Sequence, residues 1–77
     1  MNMTISKVEN RPDVAEHSPV EVGKEYTGVA DKLPVVGECF YLVWGVAQHT
    51  FRTSTVEEIL PNNQFRTRNS VYQYRVN

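Results

Sequence analysis

Cys39 and His49 are the pair in this chain best suited to nucleophilic chemistry, because an imidazole beside a thiol can take its proton. Nothing in the sequence fixes them near one another. Cys39 opens the apolar run Cys39-Phe40-Tyr41-Leu42-Val43-Trp44, a setting in which a free cysteine is ordinarily buried and inert. Glu57 and Glu58 are adjacent carboxylates, but neighbours on a strand point to opposite faces, so they cannot flank one bond as a catalytic pair. Glu58 reads better as an ion-pair partner for Arg66. The two histidines, His17 and His49, stand far apart, and no Cys or His pair has zinc-finger spacing. No Gly-rich phosphate loop and no Ser/His/Asp signature occurs. The expectation is a protein that binds rather than catalyses, with no cofactor and no metal.

Binding chemistry gathers in the C-terminal half. The net charge is −1, which gives no overall pull toward nucleic acid. Residues 1–38 carry four basic side chains against seven acidic ones, whereas residues 39–77 carry four against two. Those last four are all arginines, Arg52, Arg66, Arg68 and Arg75, whose planar fork suits carboxylate, phosphate and aromatic partners. Phe51-Arg52-Thr53 recurs as Phe65-Arg66-Thr67, and a serine follows each copy within three residues, Ser54 and Ser70. The period is too short for a solenoid and reads as two similar strands of one hairpin. Arg52, Ser54, Arg66 and Arg68 would then share a face, meeting either an anionic or polar ligand or only water.

The elements that position these residues read as strands. Lys24 to Val29, opened by Gly23, is rich in β-formers, and Cys39 to Trp44 is of strand length and closed by Gly45. Thr55-Val56-Glu57-Glu58 has the spacing of a helix capping box, but Pro61 would stop that helix after about one turn. A hairpin is preferred, turning at Pro61-Asn62-Asn63 through a type I turn and a left-handed residue. Its register sets Ile59 opposite Phe65, Glu58 opposite Arg66, Glu57 opposite Thr67 and Val56 opposite Arg68; a single bulge would shift it. Phe51, Thr53, Thr55, Ile59, Phe65 and Thr67 then face the core, with Arg52, Ser54, Val56, Glu58, Arg66 and Arg68 outside. After a break at Arg68-Asn69-Ser70, Val71 to Val76 is a last alternating strand with Tyr72, Tyr74 and Val76 on its apolar side.

Residues 1–20 read as an N-terminal arm. Met3 to Val8 is an edge strand or disordered, and 10–20, polar with two prolines, is a loop or mobile segment. Residues 21–77 form the domain, a mostly β, small five-stranded barrel or strongly twisted antiparallel sheet. A 77-residue chain buries only about 60% of its unfolded surface. With one cysteine and no disulfide, association is the natural source of further buried area. Alternation cannot assign faces to Cys39–Trp44, which is either covered on both sides or shows one face to a partner. Phe40 and Trp44 are therefore candidate contacts for a protein partner or a second copy.

Val36-Gly37-Glu38-x-Phe40, Phe51-x-Thr53-Ser54-Thr55-Val56 and Phe65-x-Thr67-x-Asn69-Ser70-x-Tyr72 resemble small β proteins of phage and bacterial genomes, over residues 23–76. That resemblance, like the likeness of five short strands to an SH3-like barrel, implies a compact barrel and a phage accessory or inhibitor protein. It carries no assigned site residues. Binding of an anionic small molecule or nucleic acid by the arginine face is the alternative, and a small structural subunit a third. The N-terminus lacks an apolar stretch of signal-peptide length, and the longest apolar run, 39–47, is far below the roughly 20 residues of a membrane span. One unpaired thiol and no export signal lead to the expectation of a cytoplasmic protein, in the host cytoplasm if phage-encoded.

Overall fold

The computed structural model describes residues 1–11 and 21–77, and every element in them is a strand. The strands are β1 (Asn2–Asn10), β2 (Glu25–Val29), β3 (Cys39–Trp44), β4 (His49–Leu60), β5 (Gln64–Thr67) and β6 (Ser70–Val76). They form a closed barrel in chain order, each antiparallel to the next, with β1 completing the ring against β6. The expected small β-barrel is present, with six strands rather than five. The sixth comes from the segment read as an arm or edge strand. Asn2–Ser6 pairs with Val29–Glu25 on one side, and Met3–Asn10 pairs with Val76–Ser70 on the other. The reading of residues 12–20 as a loop lies outside the described residues.

Alternation decides what fills the barrel. Met3 and Ile5 of β1, Phe40 and Leu42 of β3, Phe51 and Val56 of β4, Phe65 of β5 and Tyr72 of β6 form the core, with Ala30 beside them. An unbroken string of rings runs through it. Phe40 packs on Phe65 at 5.5 Å between centroids, Phe65 on Tyr72 at 5.5 Å and Tyr72 on Phe51 at 5.7 Å. Phe51 then meets Tyr26 at 5.1 Å, Tyr26 meets Trp44 at 5.1 Å, and Trp44 meets His49 at 4.9 Å. Such offset and edge contacts add about 0.5–1.5 kcal/mol per pair beyond the area they bury.

Three bulges bend the strands enough to close so small a ring. Val8 is the extra residue in β1, between the pairs Lys7–Tyr72 and Glu9–Val71. Along β4 three steps, Arg52 to Thr55, span what two steps of β3 cover, and Glu57 is an extra residue against β5. The hairpin therefore turns at the expected Pro61-Asn62-Asn63, and Ile59–Phe65 and Glu58–Arg66 are opposed as expected. Beyond Glu57 the register slips: Val56 faces Thr67, so the expected Glu57–Thr67 and Val56–Arg68 pairs do not form. The bulges also change side-chain parity. Val56 is buried and Thr55 exposed, the reverse of the expectation, and Ile59 is half exposed although it lies opposite a core residue. Asn62 and Asn63 both have positive φ, 62° and 57°, the sign pattern of a type I′ turn centred on the two asparagines rather than of a type I turn followed by one left-handed residue. On β6, Tyr72 is buried and Tyr74 packs against the core, whereas Val76 is exposed.

The ladder between β2 and β3 is the shortest, only Gly28–Trp44 and Val29–Val43. Gly28 is what lets the two strands meet there, because a Cβ on it would lie 2.0 Å from the Val43 carbonyl oxygen. A backbone oxygen held in a ladder cannot step aside as a side chain would. Gly28→Ala is therefore expected to destabilise the barrel by about 3 kcal/mol, at the upper end of overpacking costs. Urea unfolding beside the exposed Thr50→Ala control checks this; equal midpoints would show that the seam tolerates the added methyl.

Candidate functional site

The arginines do not form one shared binding face. Arg66 lies opposite Glu58 on the outer surface, its Nη2 3.0 Å from Glu58 Oε1, and its buried Nε is 3.9 Å from Glu57 Oε1. Glu57, the bulged residue, also accepts a 2.6 Å bond from Arg11, which reaches on to the Thr67 carbonyl at 3.2 Å. The backbone N–H of Arg11 donates to Asn69 O as well. The result is an alternating line, Arg11–Glu57–Arg66–Glu58, that ties the end of β1 to the β4–β5 hairpin and leaves Arg66 largely neutralised. Arg52 is six positions along β4 from Glu58, opposite Tyr41, which at about 3.3 Å per residue puts it some 20 Å away. Arg68 is exposed beside Thr55, to whose carbonyl its N–H donates, and Arg75 sits on β6.

The echoed Phe-Arg-Thr triplets have a structural cause. Both phenylalanines are in the core, and both threonines are buried and repair backbone that the strands leave unpaired. At the β4 bulge, Thr53 Oγ1 accepts the Phe40 N–H at 3.0 Å and donates to Ser54 O at 2.7 Å. At the β5–β6 turn, Thr67 Oγ1 accepts the N–H groups of Ser70 and Asn69 and donates to Ser70 O, all at 3.1–3.3 Å. Ser54 is half-buried, and its hydroxyl accepts the Asn69 N–H. None of these hydroxyls is presented beside an arginine to a ligand.

The apolar strand β3 resolves into two faces. Phe40 is only 4% exposed and belongs to the core, so it is not a partner contact. Trp44, also on the inward side, is half-buried between Tyr26 and His49 and closes one end of the ring string. The outward residues are Tyr41 and Val43, 52% and 40% exposed, and Val29, opposite Val43 on β2, is 52% exposed. Beside Tyr41, a shallow recess is lined by Asp31-Lys32-Leu33-Pro34-Val35 with Cys39 and Phe40. Val29, Val43, Tyr41, Leu33 and Val35 thus make one apolar surface. Its rim is polar: Thr50 opposite Val43, Arg52 opposite Tyr41, Asn2 opposite Val29, and the Lys32–Glu38 ion pair. The outward side of β3 thus carries Tyr41 and Val43 rather than Phe40, which the sequence could not decide because a run apolar at every position carries no parity.

Cys39 and His49 lie toward opposite ends of β3, Cys39 facing Thr55 and His49 facing Trp44. Among the described residues no three His, Cys, Asp or Glu side chains group as a metal site, and no helix is long and apolar enough to cross a membrane. Lys7 was not singled out by the sequence. It is the third inward position of β1 after Met3 and Ile5, 1% exposed, with its Nζ donating to Asn10 Oδ1 at 2.8 Å. Burial pushes its pKa below the ordinary lysine value.

Two outcomes are expected. Thr67→Val removes an acceptor from two backbone N–H groups and should cost about 2–3 kcal/mol, Thr67→Ser should restore most of it, and Arg52→Ala should shift stability by less than about 0.5 kcal/mol. Denaturant unfolding of the three variants checks the ranking. For Lys7, the folded state holds its proton less tightly than the unfolded chain, so the burial penalty is full below the lowered pKa. It is relieved as pH rises toward the ordinary lysine value. The stability of the parent relative to Lys7→Met should accordingly improve from neutral pH to about pH 10. A difference that stays flat with pH would show that Lys7 does not titrate differently on folding.

Compared with known proteins, the chain matches no family model, no curated protein and no solved structure.

Proposed function

We propose that the chain is a non-enzymatic protein-binding module whose contact face is the surface of Val29, Val43, Tyr41, Leu33 and Val35. The observation that carries this reading is the pairing of Val29 with Val43 on the outside of the barrel, continued by Tyr41 and the apolar loop. Contiguous apolar surface on a small domain marks interaction sites more often than chance exposure does. A half-exposed tyrosine amid aliphatic side chains, ringed by polar groups, has the makeup of an interface centre with its rim.

A second copy is the first partner to consider, because a domain this small gains stability from area buried between chains. A role as an accessory or inhibitor protein of phage type agrees with the resemblance carried by the sequence, and a structural subunit would be the same face used repeatedly. The single half-buried thiol suits action in a reducing cytoplasm. The neutralised Arg66 removes the main support for an anion-binding arginine face.

Light scattering across a dilution series tests the proposal. The parent chain should gain mass with concentration, while Tyr41→Ser combined with Val43→Thr stays monomeric with an unchanged circular dichroism spectrum. A parent that remains monomeric into the millimolar range, with amide resonances of Val29, Tyr41 and Val43 unmoved by dilution, together with a pull-down in which no protein binds the parent more than the double variant, would overturn it.

A further inference from the structure

A second surface lies on the strands that close the barrel and differs from the apolar face in kind. An open cleft of about 370 Å³ runs over the outer side of β1 and β6, lined by Thr4, Ser6, Glu25, Asn63, Gln73, Tyr74 and Arg75. Register explains the assembly. Ser6 lies between Glu25 on β2 and Gln73 on β6, and Thr4 lies between Thr27 and Arg75, so two cross-strand rows form the floor. Asn63 comes from the β4–β5 turn, whose carbonyl accepts the Tyr74 N–H at 2.9 Å and so draws the turn over β6 as a wall.

The lining decides the ligand. It holds two hydroxyls, two carboxamides, a carboxylate and a guanidinium and no aliphatic residue, while the ring of Tyr74 packs inward on the core, so an apolar molecule would gain little there. Glu25 opposes an anion and Arg75 opposes a cation, so neither sign of net charge is favoured. A neutral molecule with many closely spaced donors and acceptors fits best. Each sugar hydroxyl donates one hydrogen bond and accepts two, which matches planar amide, carboxylate and guanidinium groups on neighbouring strands. Part of the floor is already fixed. Thr4 Oγ1 is held by Thr27 Oγ1 at 2.8 Å and by Asn77 Nδ2 at 3.1 Å, and Asn77 Oδ1 accepts from Arg75 Nε at 3.2 Å, which sets the guanidinium plane. Such support from behind lowers the ordering cost of binding. The volume falls within the usual range of small-molecule sites.

We propose that this cleft is a saccharide-binding site that takes a neutral mono- or disaccharide through Ser6, Glu25, Asn63, Gln73 and Arg75. The site is open and offers little ring-stacking surface, so affinities of about 1 mM are expected.

Titration of the full chain, followed by ¹⁵N–¹H spectra, tests this with maltose, cellobiose, lactose and N,N′-diacetylchitobiose. At least one should give saturable shifts confined to the amides around Ser6, Glu25, Asn63, Gln73 and Arg75. Gln73→Ala, an exposed change, should weaken binding roughly tenfold, and Ser6→Ala should weaken it too. The Tyr41→Ser, Val43→Thr variant should bind as the parent does, which separates this site from the apolar face. No saturable shift with any of the four sugars would overturn the proposal. So would shifts at these amides that are stronger with inorganic phosphate or adenosine monophosphate than with sugar.

Discussion

Closure of the barrel by pairing β1 with β6 is the constraint on which the rest depends. The other five ladders join neighbours along the chain, and four of them are hairpins that form over a short separation. The last brings Met3 to Val76 and Asn10 to Ser70, and its entropy of closure is met only when both rims of the sheet are in place. A flanking bond reinforces it, Asn77 N–H donating to Asn2 O, while the Met1 amino group donates to Ala30 O and extends the β1–β2 ladder. Without β1, the inward faces of β2 and β6 would lose Met3 and Ile5, and two strand edges would stand open.

What the sequence revealed follows from how local each signal is. The bounds of β3, the turn at Pro61-Asn62-Asn63 and the Glu58–Arg66 pair were legible because each rests on residues a few positions apart. β1 was left between an edge strand and a disordered segment, because its third inward position is Lys7, and a lysine breaks the apolar alternation that would otherwise run Met3, Ile5 and onward. The faces of β4 were misread at Thr55 and Val56 because one bulge past Arg52 shifts the parity and a second at Glu57 restores it, and neither leaves a mark in composition. β3 lacked any polar residue to fix its phase, so Phe40 and Tyr41 could not be told apart until the barrel gave them an inside and an outside. The arginine face failed for a related reason: the Glu58–Arg66 pair was read correctly, while the approach of Glu57 and Arg11 beside it depends on the third dimension.

Ladder lengths divide the barrel into two halves. β6–β1–β2 is held by the long pairings of β1, and β3–β4–β5 by those of β4. The seams between them are short, two residue pairs for β2–β3 and three for β5–β6. The aromatic string crosses both, through Tyr26 to Trp44 and Phe51 on one side and Phe65 to Tyr72 on the other. Ring packing therefore supplies across the seams some of the cohesion that backbone pairing does not.

Both proposed surfaces lie at these seams, and this links binding to stability. The apolar face spans the β2–β3 seam through Val29 and Val43, while the polar cleft takes its wall, Asn63, from beyond the β5–β6 seam. A partner on either surface would contact both halves at once. It would bind the closed barrel and not a state in which the halves have parted, so occupancy would favour closure by mass action. The shortest ladders are also where local opening costs least. A small barrel placed in this way gains most from a ligand at the points where its own hydrogen bonds are fewest.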